Sequence, residues 1–170
     1  MSESPNHRDY GFSSDWDGNG EIYDVERQIV TWKCQFKNLR RRADEAGKQS
    51  KPVFALFDAD GKESLAIHRD AGFFIAPKYR ILEKSSQVGS IFQRSILFTR
   101  YEFSFASGSK WKLYLPMFTV WGSGESADQG KLTFRFKTRR LWMIRLTTDF
   151  GYPPLMAALA FVTRKKLQCT

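Results

Sequence analysis

Apolar residues recur at every second position along most of this chain. Val30, Trp32, Cys34 and Phe36 alternate with polar neighbours, which predicts a first strand over about 28–37. Val53–Phe57 and Ser64–Ile67 lie on either side of Asp58-Ala-Asp-Gly-Lys62, where Asp and Gly supply turn conformations, so this stretch reads as a β-hairpin. Further short strands are predicted near 72–76, 78–83, 87–94, 100–106, 110–115, 117–122, 131–137 and 140–147, punctuated by glycines such as Gly89, Gly108 and Gly130. Nothing alternates strand with helix as a parallel sheet would require. Many short strands at close spacing predict a sandwich or a barrel.

The period changes near the end. After Asp149-Phe-Gly-Tyr-Pro-Pro154, the chain from Leu155 to Val162 carries no charge and stops at Arg164-Lys165-Lys166. Prolines at the first helical positions cost no hydrogen bond that the helix would have made. Leu155, Met156, Leu159, Phe161 and Val162, with alanines between them, make a helix that is apolar on all sides and must be buried on all sides. The pattern therefore predicts a mainly β domain enclosing a hydrophobic C-terminal helix. Closing the sheet around it would hide both the strand edges and the helix.

With 170 residues the chain suits one domain, and 42% hydrophobic content suits a globular one. The longest apolar run, Pro153 to Val162, falls short of the roughly 20 residues of a membrane-spanning helix, so none is expected. Met-Ser-Glu-Ser-Pro-Asn-His7 has no basic-then-apolar signal pattern, and the expected location is cytoplasmic, with peripheral membrane contact. Cys34 and Cys169, joined only by His7 and His68, are too few and too scattered for a structural zinc site.

Charge changes the picture. The net charge is +9, yet residues 1–26 carry seven carboxylates against Arg8, leaving +15 on the remainder. Residues 1–26 thus read as an acidic, flexible segment and 27–170 as a single barrel domain. So basic a body expects an anionic partner. Lys131, Thr133, Arg135, Lys137 and Arg139 share one face of a predicted strand, Arg140 and Arg145 follow, and Lys110 and Lys112 flank Trp111. Lys110, Lys112, Lys131, Arg135, Lys137, Arg139 and Arg140 are therefore the candidate contacts for anionic phospholipid headgroups, each base being worth about 1 kcal/mol at such a surface. A nucleic-acid binder, with Trp111, Phe134 or Tyr101 stacking on bases, is the alternative. A third reading is a protein-interaction or structural barrel whose charge is incidental.

A second constellation points to calcium. Asp15-Trp-Asp17-Gly-Asn19-Gly20-Glu21-Ile22-Tyr-Asp-Val-Glu26 fits a twelve-residue EF-hand loop, with Asp15, Asp17 and Asn19 as oxygen ligands and Glu26 closing the site. Glu21 would add its carbonyl. No helix pattern flanks the loop, so an acidic turn entering the first strand is the competing reading.

Enzymatic signatures are missing. There is no GxSxG elbow, no phosphate-binding GxxxxGK[ST] loop and no GxGxxG turn, and His68 with Asp70 has no recognisable nucleophile. No catalytic residue is assigned.

Several segments resemble the tubby C-terminal-like superfamily, which includes tubby-like proteins, phospholipid scramblases and LURP-one-related proteins. Phe54-Ala-Leu-Phe-Asp-Ala-Asp-Gly61 resembles its "fxIyDxdG" hairpin. Val88-Gly-Ser-Ile91-Phe-Gln-Arg94 with Thr99-Arg-Tyr-Glu-Phe103 resembles its "vGxIxrk…ryei" strand pair, and Asp149 with Pro153 to Ala160 its "DpllllaLalal" helix. The resemblance spans roughly residues 50–167. It implies a closed antiparallel barrel of about twelve strands around a central hydrophobic helix, and lipid or phosphoinositide binding rather than hydrolysis. Scramblases carry an acidic calcium-binding segment before that helix; here Leu146 to Tyr152 holds one acid, Asp149.

Overall fold

The computed structural model describes residues 8–15, 17–37, 52–70, 77–94, 100–116, 121–128, 130–138, 141–146 and 152–168. Twelve strands precede one helix. They are β1 (Arg8–Ser14), β2 (Asn19–Asp24), β3 (Ile29–Phe36), β4 (Pro52–Phe57), β5 (Glu63–Arg69) and β6 (Lys78–Glu83), then β7 (Ser86–Gln93), β8 (Arg100–Phe105), β9 (Lys110–Tyr114), β10 (Trp121–Ser126), β11 (Gly130–Thr138) and β12 (Leu141–Leu146). Each strand pairs antiparallel with the next, and β1 pairs with β12 from Arg8–Leu146 to Ser13–Leu141. The sheet is therefore a closed barrel rather than a sandwich, and closure removes the two free edges an open sheet would expose.

Helix α1 (Pro153–Gln168) fills that barrel. Pro153 and Pro154 open it, and the Met156 amide donates to the Tyr152 carbonyl at 3.1 Å. Leu155, Met156, Ala157, Ala158, Leu159, Phe161 and Val162 have no exposed surface. Phe161 stacks on Phe36 at 5.5 Å and meets Phe54 and Tyr79 edge-on at 6.0 and 4.8 Å. The predicted pin is thus observed, and its apolar surround comes from the inward residues of many strands.

The helix also defines two ends. Its start lies near Phe105, the last residue of β8, whose ring meets Tyr152 at 5.4 Å. Its last turns lie near the ends of β1 and β7: Arg164 Nη1 donates to Ser14 Oγ, and Lys165 Nζ donates to Gln93 Oε1. Cations there oppose the negative end of the helix dipole.

Two sequence expectations need correction. Of residues 1–26, expected to form a flexible segment, Arg8–Ser14 and Asn19–Asp24 are strands β1 and β2 and close the barrel, while residues 1–7 lie outside the described residues. Tyr10, Phe12 and Ile22 face the core, and Gly11 and Gly20 hide the alternation. Gly11 leaves room for the Tyr23 ring, and Gly20 for the Ser13 carbonyl and Cys34 Sγ. Of the strand predicted at 117–122, residues 117–120 lie outside the described residues; β10 runs from Trp121 to Ser126, beyond the predicted end, because its inward residues are Gly122, Gly124 and Ser126, which read as a loop. The strand expected at 72–76 lies outside the described residues.

Candidate functional site

Among the described residues the barrel interior is packed with apolar side chains of the strands and of α1. A cavity of about 20 Å³ lies among Ser14, Gly20, Cys34, Phe36, Thr163 and Arg164, space for about one water molecule rather than a lipid chain. Cys34 sits beside it. Burial pushes its thiol up to about 12, the Arg164 charge pulling the other way and Glu21 and Asp15 adding to the rise. Such a thiol stays protonated and is a poor nucleophile. Chemistry with large partners therefore belongs to the outer wall.

The basic ladder lies on that wall where the alternation puts it. Lys110 and Lys112 on β9, and Lys131 and Arg135 on β11, are exposed, while Trp111, Leu132 and Phe134 between them are buried. The Lys137 side chain, Arg139 and Arg140 lie outside the described residues. The register then separates the described bases into two groups. Lys112 stands opposite both Glu102 and Glu125, and Lys131 opposite Glu125. Arg145 is held by Asp9 through two bonds of 2.8 and 2.9 Å. Carboxylates thus stand opposite Lys112 and Lys131 and hold Arg145, whereas Lys110 faces Ser104 and Arg135 faces Trp121 and Met143.

Arg135 belongs to a different constellation. It stands opposite Trp121, an exposed tryptophan with half of its surface free (50%). Trp121 meets Tyr114 edge-to-face, with ring centroids 6.4 Å apart. Tyr114 stands opposite Arg100, whose guanidinium lies 5.8 Å above the ring. Arg100, Tyr114, Trp121 and Arg135 therefore form one row across β8, β9, β10 and β11, about 14 Å wide at the usual strand spacing. The row lies at the end of the barrel where α1 terminates, since it occupies the first residues of β8 and β10 and the last of β9. The carboxylate closest along its strands, Glu102, is engaged by Arg94 at 2.9 Å. Arg100 and Arg135 thus flank two aromatic rings with no carboxylate opposite either of them in the register.

The row was not legible as a unit. Arg135 was a candidate, but Arg100, Tyr114 and Trp121 were not, because only the cross-strand register brings them together. The aromatic candidates Trp111, Tyr101 and Phe134 point inward and are buried, so none of them can stack on a base.

The calcium candidates are not gathered. Asp15, Asp17 and Asn19 sit at the β1–β2 turn, where Asp15 accepts hydrogen bonds from the backbone and side chain of Asn19 at 2.8 and 3.1 Å. Desolvation raises the Asp15 carboxyl, but these bonds and those from the Asp17 and Gly18 backbone outweigh it and hold the group below its ordinary value. Glu21 lies within β2, in register with Ser13 and Lys33, and Glu26 lies beyond the far end of that strand. Asp15 and Glu26 are thus separated by the length of β2, roughly 17 Å. A β-hairpin replaces the compact loop, and among the described residues no group of three or more His, Cys, Asp or Glu side chains is placed to hold a metal ion. Asp70, two residues after His68, accepts from the Arg80 guanidinium.

Among known proteins, no family model, no curated protein and no solved structure matches this chain.

Proposed function

We propose that this barrel is a non-enzymatic module that docks on anionic membrane surfaces, with lipid headgroups meeting the outer wall of β8–β11. The observation that carries the reading is the row Arg100–Tyr114–Trp121–Arg135, two cations flanking an aromatic pair of which Trp121 is exposed and Tyr114 half-buried. Tryptophan and tyrosine favour the level of the headgroups, and arginine pairs with phosphate oxygens through a planar fork. A filled interior argues for contact from outside, with α1 acting as a structural pin rather than an inserted wedge. Among the described residues no helix is long and apolar enough to cross a membrane. The tubby-like resemblance, with scramblases and LURP-one-related proteins in that group, points to the same class of ligand.

Stacking of single-stranded nucleic acid on Trp121 and Tyr114 uses the same residues, so lipid and oligonucleotide must compete in one experiment. The protein is sedimented with anionic and neutral vesicles at about 0.15 M salt, with and without a single-stranded oligonucleotide. Pelleting with anionic vesicles alone, undisturbed by the oligonucleotide, is the expected result. Equal binding to both vesicles, or to neither, removes the proposal, and displacement by the oligonucleotide at equal charge transfers the row to nucleic acid.

A further inference from the structure

Two small residues lie beside the row on the outer wall. Ser123 of β10 stands opposite Tyr114 of β9 on one side and opposite Thr133 of β11 on the other. Both Ser123 and Thr133 are exposed, and neither hydroxyl has a hydrogen-bond partner among the described residues. Residues facing each other across two strands have Cβ atoms about 5 Å apart, so the two hydroxyls lie side by side.

Larger side chains surround them. The next outward residues along β10 are Trp121 and Glu125, and along β11 they are Lys131 and Arg135, each about 7 Å away. Arg145 faces Thr133 from β12. Serine and threonine among tryptophan, tyrosine and arginine make the floor of a shallow recess, with Trp121 and Tyr114 on its aromatic rim and Arg135 and Arg145 on its cationic one. Charge around it is positive. Glu125 stands between Lys112 and Lys131, and Asp9 holds Arg145, so two carboxylates meet four cations, Lys112, Lys131, Arg135 and Arg145.

We propose that this recess seats an exposed phosphate monoester of a lipid headgroup, with Ser123 and Thr133 as the residues that select it. This selection rests on docking through the same wall and gives the headgroup its chemical class. A monoester offers three free oxygens and a charge of about −1.5 to −2. Each hydroxyl donates to one oxygen, and the Arg135 fork takes the third. Serine, threonine and arginine are common donors to phosphate oxygens. A phosphodiester has only two free oxygens and a single charge, so two of the three donors must share one oxygen. Trp121 and Tyr114 then lie at the level of the neighbouring headgroups.

Phosphatidylcholine vesicles doped with phosphatidic acid or with phosphatidylglycerol, matched in surface charge, test the selection. The full chain is expected to bind the phosphatidic acid vesicles roughly tenfold more tightly. Ser123→Ala with Thr133→Val keeps the charge and nearly the shape of both side chains. It is expected to bring that ratio close to one, with circular dichroism unchanged. Equal affinity of the wild type for the two vesicles, or a preference that survives the double substitution, overturns the proposal while docking stands. Release by inorganic phosphate at matched ionic strength assigns the recess to a soluble phosphate and overturns the lipid assignment. Binding to neither vesicle removes docking itself, and the selection with it.

Discussion

Trp121 and Tyr114 meet edge-to-face on neighbouring strands, their ring planes 63° apart. Neither ring is needed to fill the core, which α1 and the inward residues already fill. Trp121→Ala is therefore expected to change unfolding free energy by less than about 0.5 kcal/mol, while weakening adhesion to anionic vesicles at least several-fold. Urea denaturation and vesicle sedimentation on the same preparation check both halves. Loss of stability without loss of adhesion would make the pair structural.

The first hairpin can be tested through its glycines. A methyl group at Gly20 would come 2.6 Å from the Ser13 backbone carbonyl, whereas one at Gly11 would meet the far end of the Tyr23 side chain at 2.0 Å. Backbone cannot move aside, but the Tyr23 ring can swing away. Gly20→Ala is expected to cost about 1–3 kcal/mol, and Gly11→Ala about 1 kcal/mol, the worth of a lost cross-strand contact. Adding Tyr23→Ser to Gly11→Ala is expected to remove most of that smaller cost. Denaturant midpoints for the wild type and the three variants give the order, and no effect from Gly20→Ala would separate β1 and β2 from the folded barrel.

The β6–β7 hairpin turns through Lys84 and Ser85, both with positive φ (46° and 71°). Two-residue hairpin loops favour this geometry, but Asn-Gly adopts it with far less strain. Lys84→Asn with Ser85→Gly is expected to stabilise the protein by about 1 kcal/mol, raising Tm by about 2–4 °C. A calorimetric scan reads this, and a lower Tm would contradict the turn assignment.

Cys34 links stability to alkaline pH. Its folded-state thiol is raised from an ordinary 9.0 to about 12 by burial, so the contribution is complete below pH 9.0 and lost as pH rises toward 12. Between those limits the unfolded chain binds fewer protons than the folded one, and stability falls by at most about 1.4 kcal/mol per pH unit from this group. Urea midpoints from pH 8 to 10 for the wild type and Cys34→Ala are expected to converge as pH rises. Parallel curves would show that the thiol ionises freely.

Much of the fold was legible because burial imposes period. The all-apolar stretch from Leu155 to Val162 demanded enclosure, and Val53–Phe57 with its Asp-Gly turn demanded a hairpin; both are present. What escaped is what glycine conceals. At Gly122 and Gly124 the inward space is taken by Leu115, Leu113 and Leu132 from neighbouring strands, so a barrel strand carried no apolar alternation of its own. The candidate site escaped for another reason. Arg100, Tyr114, Trp121 and Arg135 are up to 35 positions apart in sequence, and only the register of four strands makes them one surface. Composition located basic charge correctly on β9 and β11 but could not show that Glu102 and Glu125 face Lys112 and Lys131.

The most direct measurement compares two charge-removing variants on the same anionic vesicles. One removes the row's cations, Arg100→Gln with Arg135→Gln; the other removes the ladder's, Lys110→Gln, Lys112→Gln and Lys131→Gln. Docking through the row predicts that the first loses about 2 kcal/mol, roughly thirtyfold in affinity, while the second, despite its greater loss of charge, loses less than about threefold. A larger loss in the lysine variant would contradict the account, and would show that vesicles respond to net charge rather than to Arg100 and Arg135.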